Sequence, residues 1–409
     1  MLHIWKPFLS RQVVSKSCIG LTRNGLKSLA FCKVQFSSSS HYQSDGSFKE
    51  QPILLKSTEP VKQSIPNIVT PIKLSHEAPK YSKSVEEARS KFHPEELEAA
   101  RLTRLANLGW VGKLPEKVIP YAELMRLEKP VGTLLLLIPC FWGITMAAYS
   151  IAAPLLVTLK ALVLFSIGGL IMRGAGCTIN DILDRNLDNQ VARTMERPIT
   201  SGRVSVPQAV AWMTAQGLAG LVVLLSLPWE CFWLGTLSLP FIAAYPLFKR
   251  YTYYPQLMFA ICFSWGTLLG FPAVGAPLNL AVAAPLFMSN LLWGVTYDTI
   301  YAHQDKKFDI NAGIKSTALV WGDQSKKYMY GLTVLQGGLF TIAGFMNAMG
   351  PGFYIGTLWG LSRLYQEIKK VNLDDPSSCW AAFTGNIKTG FIFWYGMVFD
   401  YLLQLLGFL

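Results

Sequence analysis

From Val131 onward, apolar runs with almost no charge and long enough to cross a bilayer recur, separated by short connections. A hydrocarbon core about 30 Å thick takes about 20 apolar residues of helix. Backbone amides in lipid must be paired within their own segment, so such runs are helices packed on one another. We read nine of them, at 131–149, 154–175, 207–227, 231–248, 256–273, 279–297, 328–348, 351–366 and 387–408. The eighth is short, and the ninth carries Asp400, which has no assigned role at this level. Of 409 residues only 15% are charged, against about a quarter in soluble domains. The expected fold is an all-α polytopic membrane protein.

Charge is unevenly placed. The formal net charge of +12 sits in the N-terminus and in short loops, without a basic stripe interleaved with aromatics. That distribution fits a lipid bilayer and argues against nucleic acid as a partner. The seven cysteines are scattered with no CxxC spacing, so neither a disulfide framework nor a zinc site is indicated. The first 44 residues hold Lys6, Arg11, Lys16, Arg23, Lys27 and Lys33 and no acid before Asp45. With serines at 37–40 and no secretory apolar core, residues 1–45 are expected to be a mitochondrial presequence. Residues 46–115 are read as a linker and a charged helix, Ser84 to Leu108, on the membrane surface or in solution. Residues 116–409 form the transmembrane domain.

The connections after the first, third, fifth and seventh runs carry no Lys or Arg. Those on the other side carry Arg126 and Lys129; Arg185, Arg193, Arg197 and Arg203; Lys249 and Arg250; Lys306, Lys307, Lys315, Lys326 and Lys327; and Lys369 and Lys370. This is the positive-inside pattern. Two acidic motifs face that same basic side.

The first motif, "NDILDRNLDNQ", places Asn180, Asp184 and Asp188 four residues apart, with Asp181 adjacent. In the second, "YDTIYAHQDKKFD", Asp305 and Asp309 follow Asp298 by 7 and 11 residues, again along one helical face. Carboxylates stacked this way repel, and near an apolar span each costs up to about 2.5–3.5 kcal/mol. A divalent cation removes that penalty, and an all-oxygen donor set selects Mg²⁺ or Ca²⁺ over zinc or copper. Arg193 and Arg197 follow the first motif directly, and guanidinium forks suit phosphate oxygens. Lys249, Arg250, Lys315, Arg126 and Lys129 fit either a phosphate role or membrane anchoring. Arg173, inside the second run and seven residues before Asn180, needs an acidic partner, either a protein carboxylate or an acidic substrate. Gly174 and Gly176 beside it leave room for close approach. His303 reads as a neighbour of the acids rather than a ligand.

From about Tyr121 to the C-terminus the chain resembles the UbiA superfamily of intramembrane prenyltransferases. The stretches that carry the likeness are "MRLEKPVGT", "MRGAGCTINDILDRNLD", "RTMERPITSG", "YPLFKRYTYYPQ" and "YDTIYAHQDKKFDINAGIKSTAL". "RGAGCTIND" and "YDTIYAHQDK" resemble the branch acting on 4-hydroxybenzoate. The resemblance implies nine transmembrane helices around a central cavity with a loop cap. It also implies Mg²⁺-dependent transfer of a polyprenyl chain from polyprenyl diphosphate to the ring carbon of 4-hydroxybenzoate ortho to the hydroxyl, in ubiquinone biosynthesis. Carried onto this sequence, Asn180, Asp181, Asp184, Asp188, Asp305 and Asp309 would hold the metal. Asp184, Asp188, Asp298, Asp305 and Asp309 would serve catalysis, and Arg173 with Asn180 would hold the aromatic acid. The setting implied is the mitochondrial inner membrane, with site loops facing the matrix and other ubiquinone-biosynthesis proteins as candidate partners. Other acceptors, a naphthoate or haem among them, share the fold; Arg173 argues for a small aromatic acid. A cation transporter would need acids on both sides, yet the opposite connections hold only Glu230.

Overall fold

The computed structural model of the chain describes residues 83–189, 194–306, 309–310 and 314–409, without the side chains at 83, 84, 187, 243, 246, 247, 249 and 250. The presequence and most of the linker lie outside the described residues. Every regular element within them is helical. Six segments are long and apolar enough to cross a membrane: α4 (Val131–Ser150), α5 (Leu155–Leu183), α7 (Val206–Leu225), α10 (Pro255–Ala273), α11 (Leu280–Ala302) and Thr317–Met346. The last joins the short α12 (Thr317–Trp321) to α13 (Ser325–Met346).

Three of the expected runs differ from this set for local reasons. The fourth is broken into α8 (Trp229–Thr236) and α9 (Leu239–Tyr251). Pro240 lies in the first turn of α9, and its ring excludes a helical carbonyl four residues back, at Thr236, where α8 ends. The helix α14 (Pro351–Lys370) carries Arg363, Glu367, Lys369 and Lys370, and α15 (Pro376–Leu405) carries Lys388 and Asp400. The expected single helix over 84–108 is also two, α1 (Lys83–Arg89) and α2 (Pro94–Asn107), parted where Pro94 holds His93 extended at φ −65°, ψ 139°.

Packing closes two circuits that share α4 and α10. One runs α4–α5–α7–α8–α10, the other α4–α10–α11–α13–α14–α15. Lipid tails give helices no hydrophobic reason to associate, so close backbone approach through small residues does the work. At Gly143 a Cβ would fall 2.2 Å from the Thr267 carbonyl oxygen, and at Gly396 one would fall 2.6 Å from that of Gly352. The second circuit is filled by Trp142, Trp293, Phe340 and Phe393, all fully buried. Outward-facing Leu156, Leu218, Val222, Val334, Phe345 and Leu358 form the lipid side.

The role of Asp400 is now plain. It is fully buried on α15, and its two carboxylate oxygens accept the amides of Gly352 and Phe353, each at 2.8 Å. Those are unpaired first-turn amides of α14, so one helix caps another across the second circuit. Asp400→Ala is expected to lower stability by about 3 kcal/mol, since each buried amide left without an acceptor costs about 1–3 kcal/mol. Thermal unfolding of the purified protein in detergent is the check, and an unchanged midpoint would remove the capping role.

Candidate active site

The helix α5 continues past its apolar run to Leu183, and α6 (Arg185–Asp188) follows at once. The amide of Asp184 donates to the Asn180 carbonyl at 2.8 Å, and that of Asp188 to the Asp184 carbonyl at 2.9 Å. Asn180, Asp184 and Asp188 therefore stand on successive turns, as their spacing predicts. Asp181 is 1% exposed and Asp188 7%. Such acids need partners, and two arginines supply them. Arg126 Nη2 donates to Asp181 Oδ1 at 2.6 Å. Arg197 Nη1 reaches the same oxygen at 3.3 Å and Asp188 Oδ2 at 2.7 Å. Arg197 thus bridges two acids of the first motif, while Asp181 Oδ2 stays buried without a hydrogen-bond partner. Burial pushes the Asp188 carboxyl up to about 6 despite the opposing pull of Arg197.

Arg126 adopts φ 56°, and its Nη1 donates to the Glu123 carbonyl at 3.0 Å. That left-handed backbone costs a side-chain-bearing residue roughly 1–3 kcal/mol. It marks the turn between α3 (Ile119–Leu124) and α4 as one held for its side chain.

Arg173 has no carboxylate partner among the described residues. Its Nη1 donates to Cys177 Sγ at 2.8 Å, and its guanidinium carbon lies 6.0 Å from the centre of the Phe263 ring. Of the two glycines beside it, Gly176 is open, since a Cβ there would meet nothing within 4 Å, while the guanidinium itself packs on a third glycine. A Cβ at Gly132, on α4, would sit 2.9 Å from Arg173 Nη2; Gly174 instead faces Gln216 and Met125. From Phe263 the rings continue to Phe259 at 3.9 Å, and from there to Tyr297 at 6.2 Å. Tyr297 directly precedes Asp298, so aromatic rings run from Arg173 on α5 to the start of the second motif on α11.

Asp298, Asp305 and Asp309 are half-buried at and beyond the end of α11. The Asp309 amide donates to the Asp305 carbonyl at 2.9 Å, which sets those two one turn apart. His303 is buried with Nε2 3.0 Å from Ser325 Oγ, a packing neighbour of the motif. Lys315 Nζ donates to the Tyr251 carbonyl at 3.3 Å, at the end of the helix that bears Lys249 and Arg250. Lys129 is exposed just before α4. Arg193 and the side chains of Lys249 and Arg250 lie outside the description. Among the described residues, no three acids, histidines or cysteines are grouped to hold an ion by themselves.

Some residues of the site were not singled out from the sequence. Glu123 and Glu196 are buried acids in otherwise basic surroundings, held by Arg104 and Arg89 respectively, and both also meet Arg203. The available signal was an acid kept within each basic segment, "YAELMRLEK" and "RTMERPITSGR".

Apolar helices that end in paired acids, bridging arginines and an unpaired intramembrane guanidinium define an integral-membrane enzyme with a polar site at the lipid boundary. Residues 136–396 match the UbiA prenyltransferase family, and the chain belongs to it. It is 54% identical over 329 residues to the mitochondrial 4-hydroxybenzoate polyprenyltransferase of Saccharomyces cerevisiae, covering 80% of this chain and 88% of that one. The enzyme of the same name from Schizosaccharomyces pombe is 45% identical, over 69% of this chain and 80% of its own. That of Bos taurus is 40% identical, over 70% and 77%. Among solved structures, a UbiA homolog from Aeropyrum pernix K1 overlays with a TM-score of 0.53 at 22% identity, covering 66% of this chain and 98% of its own. A digeranylgeranylglyceryl phosphate synthase structure overlays at 0.51 with 18% identity, over 70% and 99%. These two likenesses show the fold.

Proposed function

We propose that this prenyltransferase moves a polyprenyl chain from polyprenyl diphosphate to 4-hydroxybenzoate, at the ring carbon ortho to the hydroxyl, in ubiquinone biosynthesis. The supporting observation is Arg173: a guanidinium inside an apolar helix, next to aromatic rings and with no carboxylate partner among the described residues. An intramembrane charge of that kind calls for an opposite charge, and a benzoate carboxylate supplies it while the ring lies among Phe263, Phe259 and Tyr297. The relatives above, which carry that substrate in their names, agree. A phenol oxygen enriches the ring at its ortho and para carbons. The para carbon bears the carboxylate, so the ortho carbon is the nucleophile.

Asn180, Asp181, Asp184 and Asp188 from the first motif, with Asp305 and Asp309 from the second, would hold Mg²⁺. The buried, partnerless Oδ2 of Asp181 fits a hard cation. Mg²⁺ typically takes one or two carboxylates beside water and substrate phosphate, which suits a site whose own donors are not grouped in threes. Bound there, it would supply Lewis-acid neutralisation of the departing diphosphate. Arg126, Arg193, Arg197, Lys129, Lys249, Arg250 and Lys315 would meet the diphosphate oxygens as fixed positive charge. As the bond from prenyl C1 to oxygen breaks, its electron pair leaves with the diphosphate. The faces of Phe259 and Phe263 offer the resulting allylic cation π density. The ring carbon then bonds to C1 and passes its proton to a carboxylate of the two acidic motifs, which restores the aromatic ring. Arg173 and Asn180 orient the acceptor throughout, and orientation carries much of the rate. The enzyme would sit in the mitochondrial inner membrane with nine crossings, its site loops toward the matrix.

Removing the clamp alone, by Arg173→Ala, should raise the 4-hydroxybenzoate KM roughly ten- to a hundredfold, as expected for a charged hydrogen bond. The prenyl diphosphate KM should stay in place. Steady-state kinetics on membranes decide this, and equal shifts for both substrates would remove Arg173 from acceptor binding. Because burial raises the Asp188 carboxyl to about 6, proton and cation compete below that pH and not above it. The half-saturating Mg²⁺ concentration should be flat from pH 7 to 8 and climb about tenfold per unit below pH 6. A flat titration down to pH 5 would take Asp188 out of the ligand set.

A further inference from the structure

Arg197 is placed by a relay of buried charges that begins ahead of the family-matched residues 136–396. Its segment is folded back on itself. The Arg197 amide donates to the Thr194 carbonyl at 3.0 Å, and its own carbonyl accepts from both the amide and Oγ of Ser201, each at 2.8 Å. Thr194 Oγ1 in turn donates to the Asp188 carbonyl at 2.8 Å. What holds this loop from outside is Arg203. It donates from Nε to Ser201 Oγ at 3.0 Å, from Nη2 to the Glu196 carbonyl, and from Nη1 to Glu123 Oε2.

Both acids in this relay are buried, Glu123 at 5% exposure and Glu196 at 7%, and both are answered from the N-terminal helices. Arg104 on α2 forks onto Glu123, with Nε at 2.6 Å from Oε1 and Nη2 at 3.1 Å from Oε2. Arg89 on α1 donates to Glu196 Oε1 at 3.0 Å. Val85 covers the turn at Gly202, where a Cβ would stand 3.6 Å from Val85 Cγ2. Glu123 is the hub, because its carbonyl also receives Arg126, the arginine on Asp181.

Anchoring alone does not account for this wiring. Leu105, Leu108, Val111, Ile119 and Ala122 already dock α2 onto α3 through apolar contact. Buried ion pairs add little net stability over apolar packing of the same volume, yet they define geometry closely and are costly to break singly. Two such links, both converging on one loop, point to placement of that loop.

We propose that α1 and α2 belong to the catalytic apparatus. Arg89, Arg104, Glu123, Glu196 and Arg203 are positioning residues that fix the 194–204 loop so that Arg197 meets Asp181, Asp188 and the prenyl diphosphate. The last contact rests on the function proposed above; the loop placement does not.

The test uses the full chain in membranes, with Arg89→Glu, Glu196→Arg and the two combined, which restores an opposite-charge pair. Each single variant should raise the prenyl diphosphate KM about ten- to a hundredfold, the usual effect of removing a partner behind a site residue. The 4-hydroxybenzoate KM should not move, amides 194–204 should exchange hydrogen faster, and the combined variant should recover on all counts. Arg104→Gln, which removes one of the two guanidiniums on Glu123 without adding a negative charge, should shift the same KM. The proposal is overturned if the singles leave the donor KM and loop exchange unchanged. It is equally overturned if they only lower kcat through loss of folded enzyme, or if the combined variant does not recover. Wild-type protein separates the two ideas. No transfer to 4-hydroxybenzoate by the unaltered chain would refute the proposed reaction, while loop exchange would still judge the positioning.

Discussion

One buried carboxylate organises the polar end of this molecule. Asp181, at the end of an otherwise apolar helix, is 1% exposed, and a lone charge in such surroundings costs several kcal/mol. Arg126 and Arg197 answer it from two different segments, ahead of α4 and beyond α6. To bring them there the chain accepts a left-handed arginine and folds the 194–204 loop across the end of α5. The same two guanidiniums leave one Asp181 oxygen unclaimed. A site balanced in this way is ready for a further cation together with an anion that brings its own negative charge.

The second unusual charge has no such balance among the described residues. Arg173 sits deeper on the same helix, against Gly132 and near Phe263. The division of labour is physical. Near the boundary, acids and arginines neutralise one another and can trade partners when a diphosphate arrives. Further in, a single guanidinium beside aromatic rings is the basis for the proposed aromatic acid. The helix α5 carries both, one above the other, which fixes their separation without any loop.

Much of this was legible before the structure. Apolar runs located the six long apolar segments because length and lack of charge are local properties. The four-residue spacing of Asn180, Asp184 and Asp188 foretold successive turns for the same reason. Pro94 and Pro240 each carry a steric rule that breaks a helix, against a charge pattern over 84–108 and a hydropathy over 231–248 that both read as unbroken. What the sequence hid is non-local. Nothing near Asp400 says that its acceptors serve a helix start at Gly352 and Phe353. Glu123 looks like one more loop acid until Arg104 and Arg203 are brought to it. The contact of Arg173 with Gly132 on a neighbouring helix is equally invisible in the sequence around Arg173.

The central claim is that acids from α5–α6 and from beyond α11 grip one metal-bridged diphosphate between them. The most direct measurement is an experimental structure of the full chain with Mn²⁺ and an unreactive prenyl thiodiphosphate, with the ion located by its anomalous scattering. Manganese is expected on oxygens of both motifs, with the thiodiphosphate between them and Arg197 upon it. Manganese seated on one motif alone, with the other turned to bulk water, would contradict the claim.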